Sequence, residues 1–512
     1  IEYISHLGTK RDGDFYHFAL GRLASSAAAI DSRKQDRSMC EIFGNYGWKE
    51  GVRLEAYLAD HFMVRGINHF VPHAFSAKAF PDPDCPPHFY AHGHNPQYRH
   101  FGELMKYMNR VCNLISGGRH ESEAAILYHG EAEWTGKKCM YIQEPARVLT
   151  EAQIGFDFVP SDIFMDDVYQ TDLTQGLKVY KQKYQILIIP ECDYITEETA
   201  KAVVLLGEKG FPCVFLENYP KGICSKIDVE AEWTLLEKIK EYAEIVSLSA
   251  LVKHMKERQI PNLQIAPANK MIRSYQYYGD PEILYLVNEG TTTYEGKVYL
   301  SERTETCYRY EVWENHLESV SSQCTENGLE ISVRIEPGKS WILVLDELQE
   351  KDCRLASSFS CNDRVKLKSG WKRSVCSGIE YPKFGEAEEV SLPDLAEKEL
   401  PEFAGVLRYE CNIQKEEDWK NTETILEITD AGEAVQVFVN GCDCGIRIVP
   451  PYRYEIGTLL HSGENQIAIE VATTLERQIP PKNKSEDWKP QNHVGLSGEV
   501  YLCILENGKG EK

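Results

Sequence analysis

The sequence predicts a multidomain protein with α/β units at its start and all-β units at its end. Three observations carry that expectation. Residues 1–118 alternate helical periodicity with short apolar runs, residues 119–265 contain runs apolar on both faces, and residues 266–348 and 396–512 carry short strand-like segments at regular intervals. At roughly 100–200 residues per domain, 512 residues allow about three to five such units.

In residues 1–118, Phe15, Phe18, Ala19, Leu23, Ala27 and Ile30 recur at helical spacing. Ser38–Phe43 is a short apolar run stopped by Gly44, which marks a strand. Leu54, Tyr57, Leu58 and Phe62 return to helical spacing up to Gly66, a natural C-cap. Ile67–Val71 reads as a second buried strand, stopped by Pro72. A Pro- and His-rich loop follows from Ala74 to Pro96. Phe101, Leu104, Met105, Met108, Val111, Cys112 and Ile115 then form an amphipathic helix that ends at Gly117 and Gly118. This is the grammar of a (β/α)8 barrel. A whole barrel needs about 250 residues, so 1–118 is expected to be its C-terminal portion.

Residues 119–265 are expected to be a doubly wound α/β domain: strands at Ala124–Tyr128, Gln185–Pro190 and Cys213–Glu217, and a helix at Glu197–Lys209. Residues 266–348 read as a β-sandwich, with strands at Ile283–Val287, Lys297–Leu300, Tyr308–Trp313, Glu330–Ile335 and Ser340–Leu345. Residues 349–395 are charged and mixed and read as a connector with some strands. Residues 396–512 are again all-β, and Val435–Val439 runs into Asn440-Gly441, a strong hairpin-turn signal.

Composition bounds the function. A net charge of −23 and a pI near 5.2 disfavour nucleic acid, whose phosphates an acidic surface repels. No apolar run reaches the roughly 18 residues that span a membrane. Sixteen cysteines without framework spacing read as reduced core residues, which points to the cytoplasm. The chain opens at Ile1 rather than Met, so a leader upstream stays open. Cys442 and Cys444 form a C-x-C pair, weak for a metal without a second pair.

The segment richest in chemistry is Cys40-Glu41-Ile42-Phe43-Gly44-Asn45-Tyr46-Gly47-Trp48. A carboxylate sits in an apolar strand that ends at glycine, and barrel enzymes place their active sites at the C-terminal ends of strands. Glu41 there suits general acid or base work; the other reading is a strand-end glutamate paired with a basic residue. The next strand brings Asn68, His69 and His73. His69 and His73 lack an acidic third ligand at metal-site spacing, so no metal is assigned to them. His88, His92 and His94 lie in the long loop, where Asp82 and Asp84 between prolines read as turn formers. Cys192 follows a strand, but Pro190-Glu191-Cys192-Asp193 lacks the glycines of a nucleophile elbow.

Three segments resemble glycoside hydrolase family 106, the α-L-rhamnosidases: Arg22-Leu23-Ala24-Ser25-Ser26-Ala27 leading to Glu41-Ile42-Phe43; Arg65 to Phe75; and Phe403 to Tyr409 with Val437 to Gly441, Pro450-Pro451-Tyr452 and Gly463 to Val471. The last set resembles the galactose-binding-like jelly roll of several glycosidases. Residues 119–265 are similar to the amidotransferase-like domain that follows the barrel in family 42 β-galactosidases, where it serves oligomerisation and walls the active site.

The rhamnosidase resemblance implies an inverting hydrolase acting on terminal sugars of plant or microbial glycans. Its two carboxyl groups stand apart to admit water, and Glu41 matches the general base. The family's acid lies on an earlier strand; Glu2 and Asp31 are the nearby carboxylates, and neither sits at a comparable strand end. Calcium is implied without a ligand set. In this setting Tyr46, Trp48, Asn68, His69 and His73 would form the sugar subsite, and a homo-oligomer is compatible with the middle domain. Two other readings stand: a non-catalytic carbohydrate-binding scaffold using residues 396–505, and a fragment of a larger glycosidase.

Overall fold

The computed structural model describes residues 12–224, 228–301, 307–326, 328–345, 353–354, 363–415, 423–481, 489–490 and 492–505. Glu2 lies outside them. The chain begins with helix α1 (Asp12–Ile30), strand β1 (Met39–Ile42), helix α2 (Val52–Met63), strand β2 (His69–Pro72) and helix α3 (Tyr98–Leu114). Strands β1 and β2 pair in parallel, with Met39 opposite His69 and Glu41 opposite Val71. Helix α2 buries Leu58, Ala59, Phe62 and Met63, a run at helical spacing. It stops at Gly66, whose φ of +88° is left-handed and where a side chain would press within 2.8 Å of Ser25 Cβ in α1. One glycine thus sets both the helix end and the close crossing of α1.

Helices α2 and α3 pack on a seven-stranded, mostly antiparallel sheet through Tyr275, Tyr277 and Tyr285. Buried charges tie the two together. The Glu289 carboxylate accepts from Arg65 at 2.7 Å and Arg273 at 2.6 Å, and it meets His61 Nδ1 at 2.8 Å. These cations hold Glu289 well below the usual carboxylate range, against the opposing pull of burial. Asp60 accepts from the hydroxyls of Tyr107 and Tyr285, and burial lifts it to about 6.

The second unit runs through β3 (Ala124–Tyr128), α4 (Gly130–Trp134), α5 (Gln143–Glu151), β4 (Phe156–Pro160), β5 (Ile186–Ile189), α6 (Glu197–Gly207), β6 (Cys213–Leu216), α7 (Val229–Tyr242), β7 (Glu244–Val246) and α8 (Leu251–Glu257). Its five strands lie in the order β7-β6-β5-β3-β4, all parallel. Both faces are covered: Ala125, Leu127, Leu187, Ile189 and Phe215 pack into one core, and Ala124, Ile126, Ile186, Ile188 and Val214 into another. That is why these strands read as continuously apolar.

Two pairs of sheets follow, of seven and four strands and then of six and four, antiparallel except where Leu317–Glu318 pairs in parallel with Cys353–Arg354 at an edge of the seven-stranded sheet. Leu284, Leu286, Val298, Ile331 and Leu343 fill the first; Leu407, Tyr409, Leu426, Val437 and Ile469 fill the second. Arg119–His120 pairs with Ile272–Tyr278 at the edge of the seven-stranded sheet, and Trp371–Cys376, read from sequence as connector, is a strand of the six-stranded one. The hairpin expected at Asn440-Gly441 joins Ala434–Val439 to Cys442–Arg447, with both turn residues at positive φ, 52° and 80°. The chain is therefore a mixed α/β and β-sheet-rich multidomain protein.

Candidate functional site

Side chains alternate across the β1–β2 pair. Cys40, Ile42, Phe70 and Pro72 turn toward the helices, while Met39, Glu41, His69 and Val71 face outward and are exposed. Glu41 and His69 thus share one open face of a parallel sheet. Among the described residues no basic side chain lies within ion-pair distance of Glu41. Directly after β1 the chain makes a turn with Phe43, Asn45 and Gly47 all left-handed, at φ 76°, 70° and 84°. Such backbone costs energy at non-glycine residues and concentrates where a turn is held for a purpose.

The remaining predicted residues are distributed differently. The Asn68 amide is fully engaged: its Oδ1 accepts from the Ser38 amide at 3.0 Å, and its Nδ2 donates to the Asp36 and Ile115 carbonyls at 2.7 and 3.2 Å. Asn68 staples three segments and does not face the opening. Trp48 and Tyr46 are buried. Trp48 is edge-on to Phe80 and His88, at 5.8 and 5.5 Å between ring centroids, so neither Trp48 nor Tyr46 presents an open face to a sugar. The His73 amide donates to the Ile42 carbonyl at 2.8 Å, and its ring packs against Gly44 and toward His88 rather than into the open face.

The long loop is internally braced. His88 Nε2 meets the Asp84 carbonyl at 2.9 Å, His92 Nε2 meets the Lys78 carbonyl at 2.7 Å, and His94 stacks on Phe80 at 4.0 Å. Asp82 accepts from Ser76 Oγ at 2.6 Å and from the Asp84 amide, as a turn former does. Asp31 is held down to about 2 by its side-chain bonds with Arg33, which removes it as a proton donor. Sequence reasoning missed the aromatic rings that are open: Phe75, Tyr90 and Tyr98 are 64%, 48% and 43% exposed and touch in series, Phe75–Tyr98 at 6.2 Å and Tyr90–Tyr98 at 4.9 Å. Phe75 also leans on Phe89, which meets Phe43 of the left-handed turn. A ring lying just past a strand end was the available signal.

Other groups bear on cofactors. Glu50, Glu55 and Glu433 are buried together at the start of α2 against the last β unit, and both Glu50 carboxyl oxygens lack hydrogen-bond partners. Burial, then mutual repulsion, lifts Glu55 to about 8 and raises Glu50 as well. Calcium prefers six to eight oxygens around one point. Within the described residues the three-ligand cluster with all donor atoms within 4.8 Å is His129, Glu133 and Cys139 instead. The glutamates therefore do not fit calcium as placed. A cleft of about 640 Å³ lies between the two antiparallel units, lined by Arg309, Glu318, Trp313, Trp341, Arg453 and Tyr454. Its charges are spent on one another, Arg309 on Glu318 at 3.2 Å and Arg453 on Glu336 at 3.0 Å.

No protein-family model matches the chain, and no curated protein matches it in sequence. Among solved structures the fold is similar to that of a rhamnosidase. The rhamnosidase from Novosphingobium sp. PP1Y superposes on 95% of this chain with a TM-score of 0.73 at 16% identity. This chain spans about half of that protein, 49% of its length. A GH42 β-galactosidase aligns over 66% of this chain and 57% of its own at 11% identity and a TM-score of 0.45. The β-galactosidase from Bacillus circulans sp. alkalophilus aligns over 57% and 52%, at 11% identity and a TM-score of 0.40. No helix of the described residues is long and apolar enough to cross a membrane.

Proposed function

We propose that this chain is the part of an exo-acting glycoside hydrolase that contributes one catalytic carboxylate, Glu41, and acts on a terminal sugar in the manner of an inverting α-L-rhamnosidase. The observation that carries the reading is the open face of the β1–β2 pair. Parallel strands are normally covered on both sides. Here one side is covered by helices, and the other presents Glu41 and His69 beside a left-handed turn. In this reading further parallel strands close the pair into a barrel, and their strand ends supply the general acid across a gap that admits water. Glu41 takes a proton from that water, and His69 orients a sugar hydroxyl. Phe75, Tyr90 and Tyr98 offer the apolar ring faces on which a sugar stacks.

The last β unit supports the same reading as a jelly-roll accessory module, and the parallel five-stranded domain as a wall and oligomer contact of the amidotransferase-like kind. The test is hydrolysis of aryl α-L-rhamnosides and other aryl glycosides by the polypeptide that the gene encodes, with Glu41→Gln beside it. Turnover lost in Glu41→Gln while sugar binding persists supports the reading; sugar binding without turnover in either protein favours the scaffold.

A further inference from the structure

The five-stranded sheet carries a cluster that plays no part in glycoside hydrolysis. Its order, β7-β6-β5-β3-β4, reverses direction between β3 and β5. The crevice beyond the carboxyl ends of two such strands is where doubly wound sheets hold ligands. His129 follows β3 directly and caps α4; Glu133 lies four residues on, so both side chains rise from one side of that turn. Cys139 reaches the same place from a segment pinned to the end of β5. The Met140 amide donates to the Glu191 carbonyl at 2.7 Å, and the Asp193 amide donates to the Lys138 carbonyl at 3.0 Å. This makes Cys139 and Cys192 a directly opposed antiparallel pair.

The outcome is an imidazole nitrogen, a carboxylate oxygen and a sulfur all within 4.8 Å of one another. His129 Nε2 and Cys139 Sγ are 3.0 Å apart. The His129 side chain is 2% exposed and its Nδ1 has no hydrogen-bond partner, while Glu133 is exposed at the mouth and leaves a way in.

We propose that His129, Glu133 and Cys139 bind a thiophilic divalent cation of the zinc type, with the fourth coordination position open to the crevice and Cys192 as the adjoining thiol. A mixed nitrogen, oxygen and sulfur set suits zinc and not calcium or magnesium, which take oxygen ligands. Zinc bonds of about 2.3 Å to sulfur and 2.0–2.1 Å to nitrogen at a tetrahedral angle put those atoms about 3.5 Å apart, so the present contact widens by roughly half an ångström on loading. Burial lifts the Cys139 thiol to about 11. The thiol proton leaves to solvent as the cation takes its place, with no change of oxidation state.

The experiment uses the 512-residue protein, reduced, stripped with chelator and titrated with Co²⁺. One equivalent should saturate a thiolate-to-cobalt charge-transfer band that Zn²⁺ then displaces. Cys139→Ser should lose the band, while Cys442→Ser, at an exposed cysteine elsewhere, should keep it. Glu133→Gln alters an exposed side chain, so it reads out the site even if Cys139→Ser misfolds; it should weaken Co²⁺ binding by roughly tenfold or more. The absence of a band, a band unchanged in Cys139→Ser, unchanged affinity in Glu133→Gln, or a Cys139–Cys192 disulfide in the protein as isolated overturns the proposal.

Discussion

Two parallel sheets in this protein are finished to different degrees. The five-stranded sheet is sealed on both faces by helices, and its central strands are apolar at nearly every position. The β1–β2 pair is sealed on one face, and its other face shows Met39, Glu41, His69 and Val71 to solvent. The exposed face of the pair carries a carboxylate and an imidazole, whereas the sealed sheet carries apolar side chains on both faces. The difference teaches where function is to be sought: the closed sheet explains stability, and the open pair is where chemistry has room.

The comparison can be broken by placing a charge on each sheet. Ile188→Asp buries an unpaired carboxylate in the closed sheet and should cost more than about 4 kcal/mol, enough to prevent folding. Val71→Asp faces outward from the open pair and should stay within about 0.5 kcal/mol in urea melts of the 512-residue chain. Equal penalties would mean that the open face is covered. The next largest effect lies where helix α2, next to the open pair, meets the antiparallel sheet. Glu289→Ala leaves the buried Arg65 and Arg273 without their carboxylate and should cost about 3–5 kcal/mol by chemical denaturation.

Much of this was legible in sequence, and the reasons are local. The strands at 39–42 and 69–72, the helix stop at Gly66 and the turn at Asn440-Gly441 all follow from nearby residues. What escaped depends on distant contacts. Trp48 and Tyr46 looked like sugar platforms beside Glu41, but the loop from 74 to 96 folds back and buries Trp48 with Phe80 and His88. Asn68 looked like a hydroxyl binder, but its amide is consumed by Asp36, Ser38 and Ile115. His129, Glu133 and Cys139 went unread in the sequence, because Cys139 joins the other two only through a segment that bridges to the end of β5.

A subtler effect tests Glu55 behind the open pair. Burial raises Glu55 from its ordinary 4.5 to about 8, so the folded state holds a proton that the unfolded chain gives up. Stability is then full below about pH 4.5 and falls as pH rises toward 8. Thermal melts across that range should show the decline, and Glu55→Gln should flatten it. A decline of the same steepness in the variant would remove Glu55 as its source. Smallest in stability is Phe75→Ala at the open rim: it should leave the melting temperature nearly unchanged and raise KM with little change in kcat, whereas Trp48→Ala should lower the melting temperature instead.

The most direct measurement is steady-state glycoside hydrolysis by the encoded protein and its Glu41→Gln variant, with melting curves for both. Removal of a general base should cut kcat by about 10²–10⁴-fold, while the exposed position of Glu41 leaves the melting temperature in place. Undiminished turnover in Glu41→Gln would contradict the assignment of the open face as a catalytic half-site.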